Sequence, residues 1–279
     1  MLTFNTQFLP LTSRPFLTGP SYAEHMPCEA LRPYISCFWE VGENAGSPHV
    51  LVIPDLCFDI IFEIDRARQK MAIRLCGLMD GPMFVGDGVE ETGQEATAAR
   101  WESFAVRFHF WAIRLFLDMN LRDIYNRVVP LDMVWPGCMG EFESFLYMES
   151  TGQRIAWMEE YLMRRLDCGG YNPNFFNSVE QILKSEGRST VREICEGSCV
   201  SQRQMERLFL REVGMPIKRT ASLVRYQNVW RNVVRNKCFD VQEAVYRYGY
   251  ADQSHLLNDF KRFHGVTPEQ AKRLALEHV

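Results

Sequence analysis

The stretch "GYADQSHLLNDFKRFHGVTPEQ", residues 249–270, decides the reading of this chain. Asp252 stands where an N-cap accepts the first free backbone N–H groups of a helix. Leu256, Phe260 and Phe263 then recur at three- and four-residue steps, the spacing of a buried helix face. Gly265 ends the pattern with the left-handed backbone that a helix stop favours. The opposite face carries Ser254, His255 and Asn258 first and Lys261 later. A helix entering the major groove of DNA meets the same demand: donors and acceptors for base edges near its start, cations for phosphates farther along.

A shift of 51 residues toward the N-terminus brings a second copy into view. Phe209 falls on Phe260, Arg211 on Arg262, Gly214 on Gly265, Ser201 on Asp252 and Met205 on Leu256. In each copy a short helix ("TVREICEG"; "VQEAVYRYG") precedes a tight turn and a capped second helix, the pattern of a helix-turn-helix unit. Met205, Leu208 and Phe209 form the inward stripe of the first copy, and Arg203, Glu206, Arg207 and Arg211 lie opposite. Between the copies, "TASLVRYQNVWRNVVRN" is a long helical pattern with Leu223, Tyr226, Val229, Trp230 and Val233 on one side. A stiff connector of this kind is expected to hold two reading helices about 34 Å apart, one turn of duplex.

Charge follows the same division. From residue 180 onward 17 Lys and Arg stand against 12 Asp and Glu, a net +5. The preceding part has 14 basic and 23 acidic residues, a net −9, within an overall −4. A basic C-terminal third on an acidic body fits an attached nucleic-acid module. At 279 residues the chain is long enough for two cores. The boundary is expected at "DCGGYNPNFF", residues 167–176, giving an N-terminal domain over 1–170 and a C-terminal one over 171–279.

The N-terminal part reads as α+β. "ISCFWEV", "HVLVIP", "CFDIIFEI", "AIRLCGL" and "SFAVRFHF" have strand composition with no helical pattern between them, which favours a barrel or sandwich over a parallel sheet. "WAIRLFLDM", "FESFLYMES" and "RIAWMEEYLMRRL" then read as helices covering it. Trp39, Phe58, Phe62, Phe104 and Phe108 are the candidates for lining an effector cavity, against the plainer reading that they are core. No apolar run reaches the length of a membrane span and no secretion signal is visible, so a cytoplasmic protein is expected.

The C-terminal residues resemble the AraC/XylS family of bacterial transcription regulators. The resemblance covers roughly residues 185–275, and its second half is the more specific: Gly-aromatic, Gln-Ser-His, Phe-Lys-Arg and Gly-Val-Thr-Pro in the opening stretch look like the family's signature. "VSQRQMERLFLREVGMPIKR" looks like its first recognition helix. The resemblance implies a sequence-specific regulator with double-stranded DNA as partner and RNA polymerase as a second one if it activates. It assigns base readout to Arg203, Glu206 and Arg207 in the first unit and to Gln253, Ser254, His255 and Asn258 in the second. Phosphate anchoring is expected from Arg211, Lys218, Lys261 and Arg262. Looser similarity over "LRPYISCFWE" and the strands after it implies a β-rich sensory domain with a small-molecule effector, and homodimerisation through the helices that follow. Three positions depart from the family pattern: Asn258 replaces an arginine, Cys199 a glycine in the first turn, and Ala271 a tyrosine.

Other chemistries fit less well. His49 and His109 are isolated, with Glu102 seven residues before the latter, where a cupin-type metal site needs clustered ligands. The chain has no Walker loop, GxSxG or dinucleotide fingerprint, so neither an enzyme nor a bound cofactor is expected. Nine cysteines at irregular spacings include no CxxC pair. Cys195 and Cys199, at i, i+4, leave a thiol- or metal-responsive regulator open. Cys28, Cys37, Cys57 and Cys76 leave open a DNA-repair methyltransferase sharing the DNA-binding module.

Overall fold

A computed structural model describes residues 8–17, 22–42, 50–85, 101–166 and 170–276. His49, Cys168 and the start of the 167–176 boundary segment lie outside the described residues. The N-terminal part holds strands β1 (Ala23–His25), β2 (Ile35–Val41), β3 (Val50–Val52), β4 (Cys57–Asp65), β5 (Lys70–Cys76), β6 (Met83–Val85), β7 (Glu102–His109) and β8 (Val128–Pro130). Six form one antiparallel sheet in the order β1-β2-β7-β4-β5-β8, while β3 pairs only with β6. The α+β architecture is as the sequence indicates.

Strand alternation gives this sheet two unlike faces. Phe38, Val106, Ile60 and Leu75 form one cross-strand row, and Phe104, Phe62 and Ile73 continue the same face. Helices α1 (Cys138–Glu141) and α2 (Thr151–Arg165) cover it together with a 3-10 turn at Glu143–Tyr147. Phe62 stacks on Phe145 at 4.6 Å between ring centroids, and Phe145 meets Trp157 of α2 edge-on at 5.3 Å. Buried Arg154 adds an ion pair from α2 to Glu102 at the start of β7.

Two helices read from the sequence shrink to single 3-10 turns. "WAIRLFLDM" contributes only Ile113–Leu115, and "FESFLYMES" only Glu143–Tyr147. Phe110 to Ile113 and Leu115 to Leu117 are buried almost without interruption, so this apolar run is interior on every side instead of forming one helix stripe. "RIAWMEEYLMRRL" does become α2, started by a reciprocal capping box between Ser150 and Gln153.

The C-terminal part is helical: α3 (Pro173–Lys184), α4 (Val191–Ser198), α5 (Gln202–Glu212), α6 (Ile217–Arg235), α7 (Val241–Tyr248), α8 (Gln253–His264) and α9 (Pro268–Leu276). Eleven of the 19 residues of α6 are buried, which makes it the strut that the surrounding helices share. It is not a free connector. Gln227, fully buried, accepts from Leu11 N–H at 2.9 Å and donates to the carbonyls of Leu11 (3.2 Å) and Pro54 (2.7 Å). Trp230 Nε1 donates to Thr12 O at 2.9 Å, and Arg231 donates to Leu9 O. Arg219 forms an ion pair with Asp80 at 2.6 Å, and Asp80 also holds Asn126. One continuous apolar core therefore runs through both parts.

Cys199 ends α4 with φ 53° and ψ 35°, a left-handed backbone that costs an L-residue about 1 kcal/mol or more and glycine almost nothing. Cys199→Gly is expected to raise stability by about 1 kcal/mol, read as a higher urea midpoint. Gln227→Leu keeps the volume but strips partners from Leu11 and Pro54. A loss of about 3 kcal/mol is expected in the same experiment, and a loss below 0.5 kcal/mol would show that the two parts do not dock through this residue.

Candidate nucleic-acid interface

Each helix-turn-helix unit is built from local signals that the structure realises. Ser201 Oγ accepts from Gln204 N–H, while the Gln204 side chain returns to Ser201 N–H, closing a capping box at the start of α5. Asp252 accepts from His255 N–H at 2.8 Å and starts α8. Gly265 caps α8 at φ 85°, and Gly214 follows α5 at φ 77°.

The inward faces fix how the outward ones are presented. Met205 and Phe209 of α5 are buried, with Phe209 edge-on to Phe175 of α3 at 5.3 Å. On α8, Leu256, Phe260 and Phe263 are buried against α6, where Tyr226 meets Phe263 at 5.1 Å. Tyr226 Oη and His264 Nδ1 lie 2.9 Å apart, and burial pushes His264 down to about 4, so this contact keeps a neutral imidazole at physiological pH. Asp259 anchors the outer side of α8 through Tyr250 Oη at 3.4 Å and Arg225 at 3.7 Å.

The residues singled out from the sequence fall into two sets. Arg203 and Arg207 are exposed on α5, and Glu206 is half-buried beside them. With Val191, Gln202 and Lys218 these three line one groove, so the first unit brings its candidates together with a cation from the start of α6. Gln253, Ser254, His255 and Asn258 are exposed along the first two turns of α8, followed by exposed Lys261 and Arg262. Arg211 is exposed but bonded to buried Glu212 at 2.7 Å, so a phosphate there competes with a carboxylate already in place.

Orientation is set at the other ends of these helices. A Cβ on Gly214 would stand 2.5 Å from Leu121 O, and one on Gly265 would stand 3.4 Å from the Pro82 ring. The C-terminal ends of α5 and α8 thus abut the N-terminal part, while the candidates for base readout stand in the first two turns of each helix, exposed except for half-buried Glu206. Ala271, where the resemblance has a tyrosine, is fully buried.

A second groove, not anticipated from the sequence, is lined by Glu186, Arg188, Glu243, Tyr246 and Arg247. Tyr246 is 91% exposed and lies outside the buried stripe of Ala244 and Tyr248 on α7. That mismatch with the helical period is the one signal by which it was legible.

In the N-terminal part Phe58, Phe62, Phe104 and Phe108 are fully buried within the apolar core. Trp39 lies on the opposite face of the sheet, in register with Ala105. Among the described residues no group of three or more His, Cys, Asp or Glu is placed to hold a metal, and no helix is long and apolar enough to cross a membrane. Cys195 is buried in α4 and Cys199 exposed after it.

Residues 194–273 match a family described as a helix-turn-helix domain, and residues 23–130 match a domain of unknown function (DUF6597). No curated protein sequence matches the chain. Solved structures similar to it include the C-terminal domain of AraT, a response regulator from Geobacillus stearothermophilus, at 23% identity over 37% of this chain and 86% of that one, TM-score 0.35. A probable AraC family transcriptional regulator from Rhodopseudomonas palustris CGA009 is 20% identical over 37% of this chain and 98% of that one, TM-score 0.34. ToxT from Vibrio cholerae O395 is 11% identical over 92% and 99%, TM-score 0.41. In its C-terminal third the chain thus carries a helix-turn-helix domain.

Proposed function

We propose that the protein is a sequence-specific transcription regulator that inserts α5 and α8 into successive major-groove segments of double-stranded DNA. The observation that carries this reading is the repeat of one presentation: two capped helices, each with its C-terminal end fixed and its polar first turns exposed. Arg203, Glu206 and Arg207 read bases from α5, with the arginine fork suited to the two acceptors of guanine. Gln253, Ser254, His255 and Asn258 read from α8, and Asn258 suits adenine where an arginine would select guanine. Lys218, Lys261 and Arg262 meet phosphates, and Arg211 joins them on giving up Glu212. α6, packed between the units, makes the second contact an intramolecular event at high effective concentration.

The N-terminal domain is the regulatory part in this reading. An effector bound there shifts the population of DNA-competent arrangements by its differential affinity for them. The route is short, because α6 is hydrogen-bonded directly to residues 9–12 and to Pro54. The protein acts where the DNA is, in the bacterial cytoplasm, with homodimerisation through α2 and contact to RNA polymerase as further steps for an activator.

Selection of bound genomic fragments followed by footprinting supplies the site for two tests. Arg207→Ala is expected to cost about 1–3 kcal/mol on that site and to relax base preference at one position. Unchanged footprints would remove α5 from base readout. Lys261→Ala is expected to weaken specific and random DNA alike and to lower the slope of log affinity against log salt by about one.

A further inference from the structure

The sheet face turned away from the phenylalanine core is polar and nearly closed. Cys37, Arg107, Asp59 and Cys76 form one cross-strand row over β2, β7, β4 and β5. Trp39, Ala105, Ile61 and Arg74 form the next row, and Cys57 faces His109 on the other side of the first. Arg107 holds Asp59 by two bonds of 3.0 and 2.9 Å, and stands 3.6 Å from Asp55 Oδ2. Two carboxylates thus share one guanidinium, with side chains only 11–16% exposed. Asp55 Oδ1 accepts from Cys57 N–H, while Oδ2 lies beyond hydrogen-bonding reach of the arginine. Burial raises Asp55 to about 6, with Arg107 opposing the rise and Asp59 adding to it.

Among the described residues, two further polar atoms on this face are buried without a hydrogen-bond partner. His109 is 6% exposed, and its Nδ1 meets nothing. Burial pushes this imidazole down to about 3, with the Arg32 backbone opposing the fall, so the ring is neutral at physiological pH and the unpartnered Nδ1 is open to a hydrogen bond. Trp39 Nε1 is likewise buried and unpartnered, on a ring 6.3 Å from that of Tyr22. Native interiors rarely leave such groups unmatched, and a bound molecule is one standard way of matching them.

We infer that this face is a binding site for a small protonated amine, held by Asp55 and His109 Nδ1 with its apolar part against Trp39. An ammonium brings one positive charge and several donors, the complement of a buried excess carboxylate and an unpartnered imidazole nitrogen. The Trp39 ring already faces one cation, Arg107, whose guanidinium carbon lies 6.0 Å from its centre, so the ligand meets the indole through its apolar part and the N–H. An anion would add to the unpaired charge, and an uncharged alcohol would leave it uncompensated. An oxygen acceptor on the same amine meets the Trp39 N–H. The site also adjoins the connector, since Pro54, next in chain to Asp55, gives its carbonyl to Gln227 of α6. In that last respect the inference rests on the effector-control reading above; the binding site itself does not.

Titration calorimetry of the full chain tests it, with 2-phenylethylamine and ethanolamine as probes and 2-phenylethanol as the uncharged control. Saturable binding of the amines and none of the alcohol is expected. Asp55→Asn is expected to weaken 2-phenylethylamine at least tenfold. Trp39→Phe, which keeps a ring but removes the N–H, is expected to weaken ethanolamine more than 2-phenylethylamine. Circular dichroism of each variant establishes that it is folded. Equal affinity for amine and alcohol, or amine affinity unchanged in both folded variants, overturns the site. DNA affinity measured with saturating amine separates the two claims: binding that obeys the variant pattern without altering DNA affinity supports the site and overturns its role in effector control.

Discussion

The structure depends on one helix being buried from all sides. α6 packs Tyr226 and Trp230 against Phe260 of the second reading unit and sends Gln227 to the N-terminal part, while Ile217, Leu223 and Val233 are buried along its length. A helix so enclosed must satisfy every polar side chain that it buries, because an unpaired amide in the interior costs more than a hydrogen bond gives back. Gln227 meets that demand with backbone groups of Leu11 and Pro54, which lie far away in sequence. Packing of the reading units and docking of the N-terminal part are therefore one event.

The same logic separates the two faces of the sheet. On one side, phenylalanines from β2, β4 and β7 meet the aromatic residues of α2 and the turn before it, and the buried Arg154 is paired with Glu102. On the other, a guanidinium, two carboxylates, an imidazole and an indole N–H are withdrawn from water with incomplete partners. A face maintained against such a desolvation cost differs from one built only for packing. Natural interiors depart from full satisfaction mostly where something other than stability is at stake.

Much of the C-terminal third was legible because its signals are local. Ser201, Asp252 and the glycines at 214 and 265 announce caps and stops, and the stripes through Met205–Phe209 and Leu256–Phe263 announce the buried faces. The departure at Cys199 correctly pointed to a left-handed turn. In the N-terminal part the strands were legible by composition, but their order was not, since β7 inserts between β2 and β4 through contacts remote in sequence. The short strand β8 carries no pattern of its own. Among the aromatic candidates, alternation places Phe58, Phe62, Phe104 and Phe108 on the apolar side and Trp39 on the polar one. Which of two alternating faces is closed depends on what packs over them, and that information is not in the strands. The docking of α6 was equally hidden, for Gln227 sits in a helical pattern like any surface glutamine.

The contacts at Gly214 and Gly265 have a mechanical consequence. Each reading helix is supported at its far end, beside Leu121 or Pro82, and projects its working tip away from that support. At 1.5 Å per residue, 11 or 12 residues make a lever arm of about 17 Å. A tilt of about 5° at the fulcrum displaces the tip by roughly 1.5 Å, half the length of a hydrogen bond to a base edge. Sub-ångström adjustments beneath the fulcrum are thus magnified where discrimination takes place, and two levers resting on one base are retuned together.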